Sequence, residues 1–300
     1  MGTMVRIVLY APNEATATRA ARAAFERVAA LDRTLSDYRP DSELSRLSAR
    51  AGLGPVPTSH DLLRLLETAQ RVAEGTDGAF DVTVGPLSRL WREASRTREA
   101  PSPRALSAAK AHVGYRYLRL EKRAGTVALD RPGMRLDVGG IGKGFAADEA
   151  LKVLAAHGVR RALIAASGDI VVGDPPPERS GWTISLDVPQ RKRRSRILLR
   201  NAAVSTSGDA EQFVVIDDVR YSHIVDPRSG LGLTPSRQAT VVAPSGTASD
   251  SLATAVCVLG ADRGLGLVER DPHAAALVVT RVGEDFEVRS STRWPTLAGH

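Results

Sequence analysis

Five aspartates, one lysine, one histidine and one threonine stand in settings where their chemistry could be used: Asp81, Asp137, Asp169, Asp226, Asp250, Lys143, His223 and Thr254. Asp250 and Thr254 lie in SDSLATAVCVLG, Ser249 to Gly260, a run that is apolar nearly all round. As a helix it places the pair one turn apart on one face, with Leu252, Val256 and Leu259 on the other. A helix this apolar is expected to be buried, and an ionised Asp there needs a cation or several donors to offset its lost hydration. Carboxylate and hydroxyl at i and i+4 offer oxygens to one point, which suits a hard cation such as Mg²⁺ completed by phosphate oxygens and water. Helix capping by Asp250 explains the same residue equally well.

The stretch LDVGGIGKGFAADEA, Leu136 to Ala150, frees the backbone with four glycines before a helix-like run. Gly144 occupies the position where a P-loop needs Ser or Thr, and Phe145 the place of the last glycine of a dinucleotide fingerprint, so neither pattern applies. An anion site at a helix start and an ordinary strand-to-helix turn both remain open. In RYSHIVDPRSG, Arg220 to Gly230, His223 could accept a proton and Asp226 could orient it or act as the base. A turn begun by Asp226-Pro227, with His223 on the surface, is the simpler account. Asp81, Asp137 and Asp169, in GAFD, LDVGG and ASGD, each read equally as turn residues.

The elements that must position these groups alternate early and become strand-rich late. A strand over Met4–Tyr10 precedes a helix from Glu14 to about Leu35 with Phe25, Val28, Leu31 and Leu35 on one face. A second helix, capped by Ser59, carries Leu62, Leu63, Leu65 and Leu66 and stops at Gly75. A short helix carries Leu87, Leu90 and Trp91, and another runs from about Pro103 to His112. Strands are expected over Tyr115–Leu120 and Thr126–Leu129, then a helix from Phe145 to a left-handed cap at Gly158. RALIAA, DIVVGD, WTISLDV, ILLRNAAVS, QFVVID and ATVVAP follow as strands, then the Ser249–Leu259 helix and closing strands LVVT and FEVRS. This pattern predicts a single α+β domain with two closely packed lobes.

At 300 residues the chain can build a sizeable core. No apolar run approaches the roughly 20 residues of a membrane span, and MGTMVRIVLYAPNEA lacks the order of a signal peptide, so the chain as written is expected in the cytoplasm. One cysteine, Cys257, excludes an internal disulfide. The net charge of +7 comes mainly from scattered arginines, only five of the 41 basic residues being lysines. The one dense run, RKRRSR at Arg191–Arg196, reads as a solvated hairpin, and no nucleic-acid partner is expected.

Taken in order, these segments resemble the FAD:protein FMN transferase family, the ApbE-like flavin transferases, along the whole chain. MGTMVRIVLY resembles the family's opening strand, LSDYRPDSELSRLS its Tyr-x-x-x-Ser-Glu segment, and GAFDVTVGPLSRLW its Gly-x-Phe-Asp-x-Thr segment. LDVGGIGKGFAAD, ASGDIVVGD, AVSTSGDAEQF, YSHIVDPRSG and ASDSLATAVCVLG then follow as the family's later motifs.

The resemblance implies a two-lobed ApbE-like fold that binds FAD as substrate with Mg²⁺ on its pyrophosphate. It implies transfer of FMN to a threonine hydroxyl of an acceptor flavoprotein, with release of AMP; FAD hydrolysis to FMN and AMP, or FAD binding without turnover, are the alternatives. Carried over by motif, Asp250, Thr254 and the carbonyl of Gly142 hold the metal, while His223, Asp226 and Lys143 are the catalytic candidates. Tyr38, Ala79, Phe80 and Asp81 fall on segments similar to those lining the flavin and adenosine pockets, as do Asp137 and Lys143, and Ser167, Gly168, Asp169 and Ser222. Gly142, Ser48, Ser167 and Ser229 depart from the family's usual Ala, Asn, Gly and Thr. Many relatives are exported lipoproteins, so an exported or anchored form is the alternative to a cytoplasmic one.

Overall fold

A computed structural model describes residues 3–188, 195–209, 212–234 and 236–294. Most of the RKRRSR run, residues 191–194, lies outside them. Strands are numbered β1–β14 and helices α1–α7 in chain order. The chain forms two compact units: Met1–Ala30, Ile141–Ser207 and Gln238–His300 make the first, Leu31–Gly140 and Gly208–Arg237 the second. One division falls inside the glycine stretch, whose Leu136–Gly140 belongs to the second unit and Ile141–Ala150 to the first.

The first unit is built on a seven-stranded sheet in the order β1 (Val5–Tyr10), β5 (Arg161–Ala166), β6 (Asp169–Val172), β9 (Ala202–Gly208), β12 (Arg237–Ala243), β13 (Ala275–Val282), β14 (Asp285–Ser290). β1, β5, β6 and β9 pair antiparallel in succession, with Val5 opposite Ala166, Leu163 opposite Val172 and Asp169 opposite Ser205. The alternation of VRIVLY, partly buried at every second residue, is what a one-sided strand requires. α6 (Gly142–Ala156) and α7 (Gly246–Glu269) pack on this sheet and on each other. Ala147, Ala150 and Leu154 of α6 share a core with Ala162, Ile164 and Val171, and with Ala20 and Ala24 of α1 (Glu14–Leu35). The hairpin β7 (Trp182–Leu186) with β8 (Ser195–Leu199) has its inward Trp182, Ile184, Ile197 and Leu199 in a second core with Leu277 and Val279.

The second unit contains α2 (Glu43–Ala49), α3 (His60–Gly75), α4 (Gly85–Thr97) and α5 (Pro103–Lys110). Its strands form a sheet in the order β2 (Val56–Pro57), β4 (Thr126–Leu129), β3 (Leu118–Glu121), and a separate hairpin of β10 (Phe213–Ile216) and β11 (Val219–Ser222). Ser59 caps α3 by accepting the Leu62 amide at 3.3 Å, as expected. Asp217 and Asp218 both adopt positive φ, 48° and 60°, which gives the hairpin the turn that matches strand twist.

Several sequence expectations need correction. Phe25 is 45% exposed; Val28, Leu31 and Leu35 of the expected stripe do face inward, and Ala20 and Ala24 rather than Phe25 complete it. Periodicity admitted both stripes, and the alanines allow closer packing than a phenylalanine would. The seven-residue α2 is a helix the pattern did not announce; Ser42 caps it from a hydroxyl 3.0 Å from the Ser45 amide. α6 begins at Gly142 rather than Phe145, which puts Lys143 in its first turn. Residues 115–117 form a 3₁₀ turn before β3 rather than strand. ILLRNAAVS divides into β8 and β9 about a left-handed Asn201, φ 44°. α7 starts at Gly246 and, after a break at Gly260 (φ 80°, ψ 176°), continues to Glu269. Its 24 residues are long and apolar enough to cross a membrane by length and composition, contrary to the expectation that no run has that length. Thirteen of those residues are buried within the protein.

Candidate functional site

In the first unit, α6 and α7 bring Lys143 and Asp250 to one place, and the start of β6 adds Asp169. The Lys143 ammonium lies 3.2 Å from Asp169 Oδ2 and 3.7 Å from Asp250 Oδ1. Both carboxylates are buried, Asp250 to 1% exposure. Asp250 Oδ2 accepts the Gly144 amide at 3.0 Å, so the carboxylate sits on the positive end of α6. Burial, together with the charge of Asp169, nonetheless pushes the Asp250 carboxyl up to about 7. Burial pulls Lys143 down, but Asp250 and Asp169 more than offset it, and its pKa is raised. The two directions agree physically: two carboxylates face one ammonium, so the lysine is oversupplied with partners and Asp250 is undersupplied.

Thr254 Oγ1 lies 3.1 Å from Ser207 Oγ at the end of β9. Asp250, Asp169, Thr254, Ser207 and main-chain carbonyls present oxygen only. Among the described residues no group of three or more His, Cys, Asp or Glu could hold a metal. A soft or nitrogen-seeking metal is poorly served; a hard cation that keeps water or phosphate oxygens fits the donors present. Gly142, whose carbonyl the motif assigns to the metal, is buried at the first position of α6. Ser167 and Gly168 are exposed at the β5–β6 turn, with Ser167 left-handed (φ 56°) and its hydroxyl against that of Thr3.

The two helices hold each other by their starts. Asp148 of α6 accepts the α7 amides of Gly246 at 2.6 Å and Thr247 at 2.8 Å, and the Thr247 hydroxyl at 2.5 Å. Burial raises the Asp148 carboxyl, against these hydrogen bonds. Asp250 of α7 returns the contact by accepting from the first turn of α6. Asp148→Asn turns one acceptor into a donor facing these N–H groups, and a loss of about 1–3 kcal/mol is expected, read as a lower urea midpoint. In the sequence nothing marks Asp148 for this role, because its partners lie 98 and 99 positions away.

In the second unit, Asp137 Oδ1 accepts the Gly139 amide at 2.8 Å and Oδ2 accepts from Arg92 at 3.0 Å. Asp81 is buried and fully committed: Oδ1 takes the Thr83 amide at 2.8 Å and hydroxyl at 2.7 Å, and Oδ2 takes the Tyr115 amide at 2.7 Å. It shapes the turn that carries Ala79 and Phe80, both buried. Ser48 donates to Leu44 O at 2.9 Å and accepts the Leu136 amide at 3.1 Å, tying α2 to the start of the glycine stretch. Tyr38 is 72% exposed.

His223 follows β11 directly and is exposed, with Nδ1 3.0 Å from the Gln212 carbonyl. A ring nitrogen facing a carbonyl carries the proton, which leaves Nε2 as the basic nitrogen of the neutral ring. Asp226 is paired in a fork with Arg228, 2.9 Å from each carboxylate oxygen, and also takes the Arg228 amide. The buried Ser222 hydroxyl accepts the Ile224 amide at 3.0 Å and turns the chain there. Asp209, missed in the sequence, is buried and takes Arg220 Nε at 2.9 Å, the Ser236 hydroxyl at 2.9 Å and the Arg237 amide at 3.2 Å. The recurrence of Ser-Gly-Asp at 167–169 and 207–209 was the signal that could have found it.

Fold and side chains thus define an α+β protein whose first unit holds one lysine between two buried carboxylates. A model of the ApbE family matches residues 1–278. The FAD:protein FMN transferase of Treponema pallidum is 34% identical over 97% of this chain and 84% of its own length. That of Vibrio cholerae is 32% identical over 88% of this chain and 80% of its own. Among solved structures, the flavin transferase ApbE from Vibrio cholerae matches with a TM-score of 0.86 at 30% identity, covering 97% of this chain and 94% of that one. The ApbE protein of Thermotoga maritima matches with the same score, identity and coverage. The chain belongs to the ApbE family.

Proposed function

We propose that this protein is a Mg²⁺-dependent transferase that moves FMN from FAD to a threonine hydroxyl of an acceptor flavoprotein and releases AMP. The observation that carries the reading is Lys143 held between the buried carboxylates of Asp169 and Asp250. Family membership, and the relatives named as flavin transferases, support it.

Asp250 and Thr254, with the carbonyl of Gly142, would hold Mg²⁺, which when bound supplies charge neutralisation on the pyrophosphate. Lys143 stays charged, as its raised pKa requires, and offers its ammonium to phosphate oxygens. Asp169 keeps that ammonium in place. The acceptor Oγ forms a bond to the FMN-side phosphorus, the bond from that phosphorus to the bridging oxygen breaks, and AMP leaves with the oxygen. His223 Nε2 takes the hydroxyl proton. Asp226, engaged by Arg228, orients the turn that presents the histidine.

The purified protein with FAD, Mg²⁺ and a threonine-bearing acceptor is expected to give covalent flavin on the acceptor and one AMP per flavin transferred. AMP at the same rate without acceptor would identify a hydrolase instead, and tight FAD retention without AMP a binding module.

A further inference from the structure

Arg92 belongs to no motif that the sequence reading used, yet it joins three separate segments of the second unit. One guanidinium nitrogen lies 2.5 Å from Asp37 Oδ2 and another 3.0 Å from Asp137 Oδ2. The same guanidinium stacks 4.4 Å from the centroid of the Tyr38 ring. Asp137 in turn accepts the Gly139 amide. A planar, permanently charged fork can meet two carboxylates and an aromatic face together; an ammonium cannot.

Tyr38 is held on one face by this cation and is 72% exposed. Its other face is open to a flat partner. A tyrosine ring held on one face by a cation presents its other face as a fixed surface on which a flat heteroaromatic ring can stack. Resting on the function proposed above, we infer that Arg92 is a positioning residue for flavin recognition: it holds Tyr38 as the platform on which the flat ring system of the flavin nucleotide stacks. Its bridge to Asp137 ties that platform to the glycine stretch.

The charges around it give the inference a signature. Burial and then Asp137 raise the Asp37 carboxyl, while Arg92 lowers it. Arg135, whose guanidinium donates to the Asp37 carbonyl, and Arg89 beside it are the other cations in this field. Without Arg92 the two carboxylates face each other, and a proton taken up at lower pH relieves the repulsion.

The test is quenching of FMN fluorescence by the full chain at pH 6 and pH 8. Arg92→Met is expected to weaken FMN binding about tenfold at pH 8 and clearly less at pH 6, with Arg92→Lys recovering part of the loss. In a Tyr38→Ala background, Arg92→Met should add little. Wild-type FMN affinity in Arg92→Met, a loss equal at both pH values, or full additivity with Tyr38→Ala would each overturn the inference. If Arg92→Met fails to fold, Arg92→Lys and Tyr38→Ala alone still decide: the lysine variant must weaken binding while Tyr38→Ala abolishes its effect. Absence of flavin binding by the wild type overturns the function proposal, and this inference with it.

Discussion

Asp250→Ala is expected to lower Mg²⁺-dependent flavin transfer by about 10²-fold or more while the protein stays folded, because in the proposed function Asp250 is the one carboxylate that would hold Mg²⁺. Unchanged turnover would refute the assignment. The variant Asp250→Asn separates function from stability. The Asp250 carboxyl rises from 3.8 to about 7 on folding, so the folded form holds a proton that the unfolded chain has already released between those values. That contribution to stability is full below about pH 4 and is lost as pH rises through about 7. The amide side chain of the variant does not titrate. In buffer containing EDTA, the urea midpoint of wild type relative to Asp250→Asn should therefore fall between pH 5 and pH 8; a difference independent of pH would exclude the effect. Above about pH 7 the folded protein thus carries a buried negative charge at a cost in stability, and under the proposed function a bound Mg²⁺ would relieve it.

Gly144→Ala is expected to destabilise the protein by about 3 kcal/mol, near the upper end of overpacking costs, and to abolish transfer with it. A Cβ at Gly144 would lie 2.0 Å from the Gly246 carbonyl oxygen and 2.8 Å from Asp250 Cβ. Backbone of a neighbouring helix start cannot rotate aside, so α6 and α7 must part. Parting breaks the Gly144–Asp250 hydrogen bond and moves Asp148 off the α7 amides. Gly266→Ala is the matched control: it is a helical glycine of α7 with nothing within 4 Å, and the change should be neutral or stabilise by about 0.5–1 kcal/mol. Equal midpoints for the two variants in urea unfolding would show that the close helix contact does not exist.

The local elements were legible because local physics makes them. Ser59 before a leucine-rich run and the alternation of VRIVLY report a cap and a one-sided strand wherever they occur. That Asp250 and Thr254 share one face of a helix was legible for the same reason, since helical spacing alone aligns them. Phe25 and α2 mark the limits of that reasoning: which of two stripes on a helix is buried depends on what packs against it, and seven residues carry too little periodicity to declare a helix.

The sequence by itself determined the elements, the family resemblance and the residue types available for chemistry. Only the tertiary structure decided what each charged group faces. Lys143 reads as one cation in a glycine turn until α6 and α7, whose contacting residues Gly144 and Asp250 stand 106 positions apart, place it between two buried carboxylates. Arg92 reads as a surface arginine of α4 until Asp37, Tyr38 and Asp137 meet around it. Such partnerships are set by chain reversals between distant segments, and both burial and pKa depend on those neighbours rather than on spacing along the chain.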